Sequence, residues 1–285
     1  MGNKKVHNKW AVILCGGRGS RLGSLTDDRP KPLIEVHYKP IIWYTFWSLY
    51  RYGFRNFILP LGYKGEMIEN YIGNASRDTG CNILCVDTGE DSSIASRIDQ
   101  IAPFIPDHEN FFILNSDTIF DFDIDGMYQL HKAEDALVTL SSVEVISTWG
   151  LILLKGDAVV GFDRERKVHR MTAVDASSLE GVVNSGLAWL NKDALAYVNL
   201  NTCDDFETSL YSKLIEIGRA AHFRLRGCWF PIDTPKDLQI VNLAVNDRHA
   251  SGHQAKAVKE VLLSFQSESH RIGSLEMDPE NGTAV

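Results

Sequence analysis

The chain opens on a polar stretch and then turns abruptly apolar: Trp10–Cys15 reads W-A-V-I-L-C, with no charged or amide side chain. A short unbroken apolar run bounded by glycines, here Gly16, Gly17 and Gly19, predicts a strand buried on both faces. Short apolar strands are predicted again at Phe57–Leu61, Asn82–Val86 and Asn110–Leu114. Between these runs the period changes. Pro40–Tyr52 is longer and aromatic-rich, starts on a proline and is followed by Gly53, which predicts a helix. In Lys64–Ile72 the apolar residues Met67, Ile68, Tyr71 and Ile72 fall at helical spacing. Strand and helix thus alternate through the first half every 25 residues or so (roughly), the rhythm of βαβ units. The expected fold class is α/β, a Rossmann-like and mainly parallel mixed sheet with helices on both faces. Ligands of such sheets bind beyond the carboxyl ends of the strands. The segments after Cys15, Leu61, Val86 and Leu114 are therefore where chemistry is expected.

The second half is less regular. Ala136–Val143, Leu151–Leu154, Val159–Phe162 and Gly181–Leu190 predict strands, and Asp205–Ile217 an amphipathic helix. The basic stretch Arg164–Arg170 and the polar stretch Thr172–Glu180 read as a loop or hairpin tip. Near Asp247 the composition shifts. A helix over Gln254–Phe265 precedes a polar, aperiodic tail, Ser267–Val285, expected to be mobile. The organisation read from the chain is a main domain over 1–246 and a C-terminal helix and tail over 247–285.

Composition changes the picture mostly by exclusion. With 29 basic and 37 acidic residues among 285 the net charge is −8, which argues against a nucleic-acid platform. An apolar content of 44% excludes bulk disorder. No apolar run reaches the roughly 18–20 residues of a membrane helix, and the first ten residues are not followed by the long apolar segment of a signal peptide. The five cysteines (Cys15, Cys81, Cys85, Cys203, Cys228) are odd in number and form no CxxC pair. Neither a disulfide framework nor a zinc site is indicated, each is expected to be a small buried hydrophobe, and a cytoplasmic location is expected.

The segment Cys15–Pro32 reads C-G-G-R-G-S-R-L-G-S-L-T-D-D-R-P-K-P. A glycine-rich turn after a buried strand lets backbone N–H groups approach a phosphate closely. The dinucleotide fingerprint begun at Gly17 and Gly19 fails because Leu22 stands where its third glycine belongs, and no Gly-Lys-Ser/Thr of a P-loop occurs. What remains is a loop with two added cations, Arg21 within it and Lys31 at its end. Two cations over a backbone cradle suit a triphosphate whose charge is held while one bond breaks. The competing reading is a solvated loop with two surface cations.

G-G-x-G-S-R-L followed by P-K-P resembles the signature of the sugar-1-phosphate nucleotidylyltransferases, the nucleoside-diphosphate-sugar pyrophosphorylases. Within that family the chain is most similar to the glucose-1-phosphate cytidylyltransferase branch. The similar stretches are Ala11–Pro32, Lys39–Trp43, Gly62–Gly65, Val86–Gly89 (V-D-T-G) and Gly227–Asp237 (G-C-W-F-P-I-D-T-P-K-D), in family order. The resemblance implies transfer of a nucleotidyl group, with CTP favoured, to a sugar 1-phosphate, with Mg²⁺ as cofactor. The partners it implies are a nucleoside triphosphate and a sugar 1-phosphate, with no nucleic acid and no membrane, in a homo-oligomer.

By the same resemblance Arg21 and Lys31 are the catalytic cations. Leu14, Cys15, Gly16, Gly17, Gly19, Ser20, Arg21, Asp87, Thr88, Gly89 and Ser116 would line the nucleotide. Arg166, Lys167, Asn184, Gly186 and Trp229 would face the sugar phosphate, with Arg166 and Lys167 alternatives for one role. Three departures stand out. The M-T-G-G-R run of the cytidylyl branch is Ser93-Ile94-Ala95-Ser96-Arg97 here. The G-D-G metal motif is Ser116-Asp117-Thr118, closer to the G-D-T of heptose-1-phosphate guanylyltransferases. The E-K-P motif is replaced by Asp163-Arg164-Glu165-Arg166-Lys167.

Asp117 follows a predicted strand, where a crevice carboxylate belongs, and Asp233 is the second metal candidate. Either could instead be a turn or cap residue. As ligands of one Mg²⁺ their carboxylates must converge; oxygens more than about 8 Å apart could not share an ion at Mg–O distances near 2.1 Å. Asp121, Asp123 and Asp125 lack the glycine and glutamate of a calcium loop and read as solvated turn residues or helix caps. His131 reads as a surface helix residue, and Trp43, Tyr44, Phe46 and Trp47 as core. Trp229 fits sugar stacking or core packing. Two other classes remain beside the transferase: a non-catalytic nucleotide- or sugar-phosphate-binding regulator, and a glycosyltransferase using Asp121-Phe-Asp123. The regulator needs neither Lys31 nor the Asp117 and Asp233 pair, and the glycine loop with Arg21 and Lys31 disfavours the glycosyltransferase.

Overall fold

Alternate side chains of the first strand enter different cores: Ala11 and Ile13 one, Val12 the other. The same division holds in later strands, with Phe112 and Leu114 on one side and Phe111 and Ile113 on the other. This is why the strands read as unbroken apolar runs. The structure is a computed structural model and describes residues 9–146, 151–155, 157–163, 167–168, 171–172, 180–202, 205–246 and 253–269.

In chain order the main elements are β1 (Lys9–Leu14), α1 (Ile41–Arg51), β2 (Phe54–Leu61), α2 (Gly65–Thr79), β3 (Asn82–Asp87), α3 (Ile94–Ile101) and β4 (Asn110–Asn115). There follow β5 (Thr118–Phe122), α4 (Ile124–Ala133), β6 (Val138–Val143), β7 (Leu151–Lys155), β8 (Ala158–Asp163) and β9 (Val183–Asn191). The chain continues through α5 (Phe206–Glu216), β10 (Ala220–Arg224), β11 (Gly227–Pro231), α6 (Pro235–Asn246) and α7 (His253–Ser269). Seven strands form one sheet in the order β10-β6-β9-β4-β1-β2-β3. All pairings are parallel except those of β9, which runs antiparallel to both β4 and β6. The α/β, mainly parallel expectation is met. β7 and β8 form an antiparallel pair of their own, as do β5 and β11.

One face of the sheet is covered by α1, α2 and α7, the other by α3 and α5. In α1, Trp43, Tyr44, Phe46 and Trp47 are buried as expected. Val258, Val261, Leu262 and Phe265 of α7 join the same core, so the predicted C-terminal helix packs onto the main body. Most of the predicted tail lies in 270–285, outside the described residues, as does Cys203. Cys15, Cys81 and Cys228 are buried and Cys85 is half-buried.

Three readings change. His131 is not on the surface: α4 turns it toward the sheet, where it is 1% exposed. Its Nε2 donates to Asn110 Oδ1 at 3.0 Å and its Nδ1 accepts from the Thr139 hydroxyl at 2.8 Å. Burial lowers its pKa to about 4. Asp121 lies on a strand, exposed, accepting from the Tyr52 hydroxyl at 3.2 Å. Asp123, by contrast, is a helix cap as expected, accepting from Gly126 N at 2.8 Å at the start of α4. The third change is one of omission, since α3, α6, β5, β10 and β11 were not read from the sequence.

Candidate active site

After β1 the chain enters the glycine loop and then a 3₁₀ helix over Ser20–Thr26. Gly19 sits at φ +65°, and a Cβ there would lie 2.7 Å from Lys31 Cβ. A side chain at this position would displace Lys31, so the glycine is what lets the two segments pass. Lys31 opens a second short 3₁₀ turn, and its side chain is mostly buried.

Lys31 Nζ donates to Asp117 Oδ2 at 2.6 Å and to Asp233 Oδ1 at 2.9 Å. The other oxygen of Asp233 pairs with Arg21 Nη1 at 3.0 Å. The four charged residues singled out in the sequence are therefore in contact, two cations against two carboxylates. The two carboxylate oxygens on Lys31 are separated by no more than those two bonds laid end to end, inside the bound of about 8 Å set by the sequence reading.

The fold explains the convergence. Asp117 directly precedes β5, and Asp233 follows β11 by one residue. The two strands pair antiparallel with Thr118 opposite Pro231. Ile232 N then donates to Asp117 O at 2.9 Å, which carries the pairing one step further to the carboxylates. Asp233 is held by the helix behind it. Thr234 Oγ1 accepts from Asp237 N at 3.3 Å, and Asp237 Oδ2 accepts from Thr234 N at 2.8 Å and Asp233 N at 3.2 Å. This is a capping box with Pro235 at the first helical position.

Arg21, Lys31 and Asp117 border a cavity of about 400 Å³ beyond the carboxyl ends of β1 and β4. Leu14, Cys15, Gly16, Gly17, Gly19, Ser20, Arg21, Lys31, Ser116 and Asp117 all line it. Ser116 is buried, and its amide donates to Leu14 O at 3.3 Å. Burial pushes the neighbouring Cys15 thiol up, out of the range of a nucleophile. Asp87, Thr88 and Gly89 stand behind the opposite wall rather than on it. Thr88 is buried and donates to Leu61 O at 2.6 Å, while Asp87 Oδ1 accepts from Gly89 N at 3.0 Å. The wall itself is made by Glu90, Asp91, Ser92, Ile94 and Arg97, none of them singled out beforehand as site residues. Arg18 of the glycine loop pairs with Glu90 of this wall.

Asn184 and Gly186 lie where the register of β9 against β6 breaks. Gly186 is close enough to Asn115, a cavity residue, that a Cβ would meet its Nδ2 at 3.4 Å. Trp229 lies elsewhere: half-buried, it donates from Nε1 to Ser185 O at 2.9 Å and lines a separate cavity of about 190 Å³ with Glu144, Arg226 and α7. Lys167 belongs to a two-residue strand paired with Val145–Ile146, and Arg166 lies outside the described residues. Among the described residues no group of three or more His, Cys, Asp or Glu could enclose a metal ion by itself, and no helix is long and apolar enough to cross a membrane.

Comparison with known proteins shows the family of the chain. A family model described as nucleotidyl transferase matches residues 10–248. The chain is 28% identical over 247 residues to a glucose-1-phosphate cytidylyltransferase of Salmonella typhimurium, covering 80% of this chain and 92% of that protein. It is 30% identical over 207 residues to a D-glycero-alpha-D-manno-heptose 1-phosphate guanylyltransferase of Aneurinibacillus thermoaerophilus, covering 71% and 84%. A Bacillus anthracis structure described as a glucose-1-phosphate thymidylyltransferase superposes with a TM-score of 0.64 at 18% identity, over 87% of this chain and 98% of the other. That last likeness is one of fold.

Proposed function

Because the chain belongs to the nucleotidyl transferase family and is an enzyme of that class, we propose that it transfers a nucleotidyl group from a nucleoside triphosphate to a sugar 1-phosphate. One observation carries the reading: Lys31 bridges Asp117 and Asp233 at the edge of a glycine-loop cavity. An oxygen of the sugar phosphate attacks the α-phosphorus, a new P–O bond forms, and the bond to the β-phosphate oxygen breaks to release pyrophosphate. Negative charge gathers on the α-phosphate oxygens during this step. On this reading Lys31 and Arg21 neutralise it, and the glycine-loop amides receive the departing polyphosphate.

Mg²⁺ fits the donor set. Both carboxylates already turn toward a common cation, the Lys31 ammonium, and Mg²⁺ takes only one or two protein carboxylates, filling its shell with phosphate oxygens and water. Asp117 and Asp233 would hold it. When bound, it supplies positive charge between two polyanions that otherwise repel.

CTP is the favoured donor, supported by Val86–Gly89 and by the Salmonella typhimurium relative. GTP is the second candidate, supported by Ser116-Asp117-Thr118 and by the heptose guanylyltransferase relative. The test is pyrophosphate release, with ATP, CTP, GTP and UTP each offered with a panel of sugar 1-phosphates. The highest kcat/KM is expected with CTP. A higher value with GTP selects the guanylyl reading, and no release from any pair overturns the reaction.

A further inference from the structure

Arg97 is the one residue of the M-T-G-G-R run that this chain keeps, and it ties the cavity together. Its guanidinium is buried, and among the described residues none of its bonds goes to a carboxylate. Nη1 donates to Leu61 O at 2.8 Å and Thr88 Oγ1 at 2.6 Å, and Nη2 to Gly16 O at 3.1 Å and Glu90 O at 3.0 Å. These oxygens belong to three separate segments: the glycine loop, the end of β2, and the loop after β3. The first and last are opposite walls of the cavity. Room for the fork is left by two glycines. A Cβ on Gly16 would sit 2.1 Å from Arg97 Cζ, and one on Gly62 2.7 Å from Nη1.

A planar guanidinium can serve four acceptors at fixed angles. An ammonium at the end of a flexible stem cannot hold the same four at once. Each neutral carbonyl bond is modest, but breaking them here also strands buried acceptors on both walls.

We propose that Arg97 is a positioning residue whose guanidinium sets the spacing between the glycine loop and the loop after β3, and through it the affinity for the nucleotide. This rests on the transferase reading for the identity of the ligand. The spacing itself does not. The residue acts on the donor half of the site, so the acceptor half should not feel its loss.

The test uses Arg97→Lys, which keeps the charge and loses the fork. In the ligand-free protein, hydrogen exchange should rise about tenfold or more at the Tyr63 and Thr88 amides together, which donate to the Gly16 and Leu61 carbonyls that Arg97 also holds, with β1 and β4 unchanged. In steady state, KM for the preferred triphosphate should rise about tenfold or more while KM for the sugar phosphate stays within about twofold. If the lysine variant does not fold, Gly16→Ala displaces the guanidinium from the other side, and its effect must appear across the cavity at the Thr88 amide. Unchanged exchange at either amide overturns the inference, and so does an equal rise in both KM values. The exchange arm needs no substrate, so a protein inactive in the pyrophosphate screen still answers it.

Discussion

Lys31 serves two carboxylates at once, and its side chain is only 11% exposed. On the proposed mechanism its replacement removes a contact to the reacting phosphate, and it also leaves Asp117 and Asp233 without their shared cation. Lys31→Met should lower turnover by about 10²-fold or more, near 3 kcal/mol of transition-state stabilisation. A folded variant with wild-type turnover would remove Lys31 from the mechanism. His131 makes a prediction of another kind. In the fold it resists protonation until about pH 4, whereas unfolded it titrates near 6.5. The unfolded state therefore binds the extra proton between these values. The stability from neutral His131 is whole above pH 6.5 and is lost as pH falls toward 4, by about 3 kcal/mol in all. Urea unfolding of wild type and His131→Gln at several pH values reads this directly. The stability gap between them should shrink on acidification; a constant gap would refute the assignment.

Among the elements, the cap of α6 reaches furthest into the site. Asp237 closes the capping box and also accepts from the Asp233 amide. Asp237→Ala should cost about 1 kcal/mol of stability and, by loosening the Asp233 turn, raise the Mg²⁺ concentration needed for half-maximal rate. A thermal shift without any change in that concentration would confine Asp237 to a structural part. The same region shows what sequence can carry. β1, β2 and β4 were legible because burial on both faces leaves an unbroken apolar run. Arg21 and Lys31 were legible because one short loop holds both. β5 and β11 were not, because each is a five-residue strand, with Asp121 interrupting the first and Gly227 and Pro231 bounding the second. Their pairing is what brings Asp117 to Asp233, and nothing local in either segment announces it. Arg97 was hidden for a further reason: three of its four partners are backbone oxygens, which leave no trace in residue type. His131 was misread because its partners, Asn110 and Thr139, lie on two different strands.

At the scale of the whole molecule the sheet is assembled out of order. β1, β2, β3 and β4 are consecutive in the chain and pair among themselves. β9, the reversed strand, fits between β4 and β6 only after both exist. Leaving the ribosome at about 5–20 residues per second, the chain exposes the free edge of β4 for the roughly 70 residues that separate it from β9. That is an interval on the order of 3–14 s. Through it an apolar strand reading N-F-F-I-L-N stands with unpaired amides and carbonyls, a template for pairing with a neighbouring nascent chain. Slower growth of the culture at low temperature, or abundant chaperone, should therefore decide the yield of this protein more than any property of its finished core.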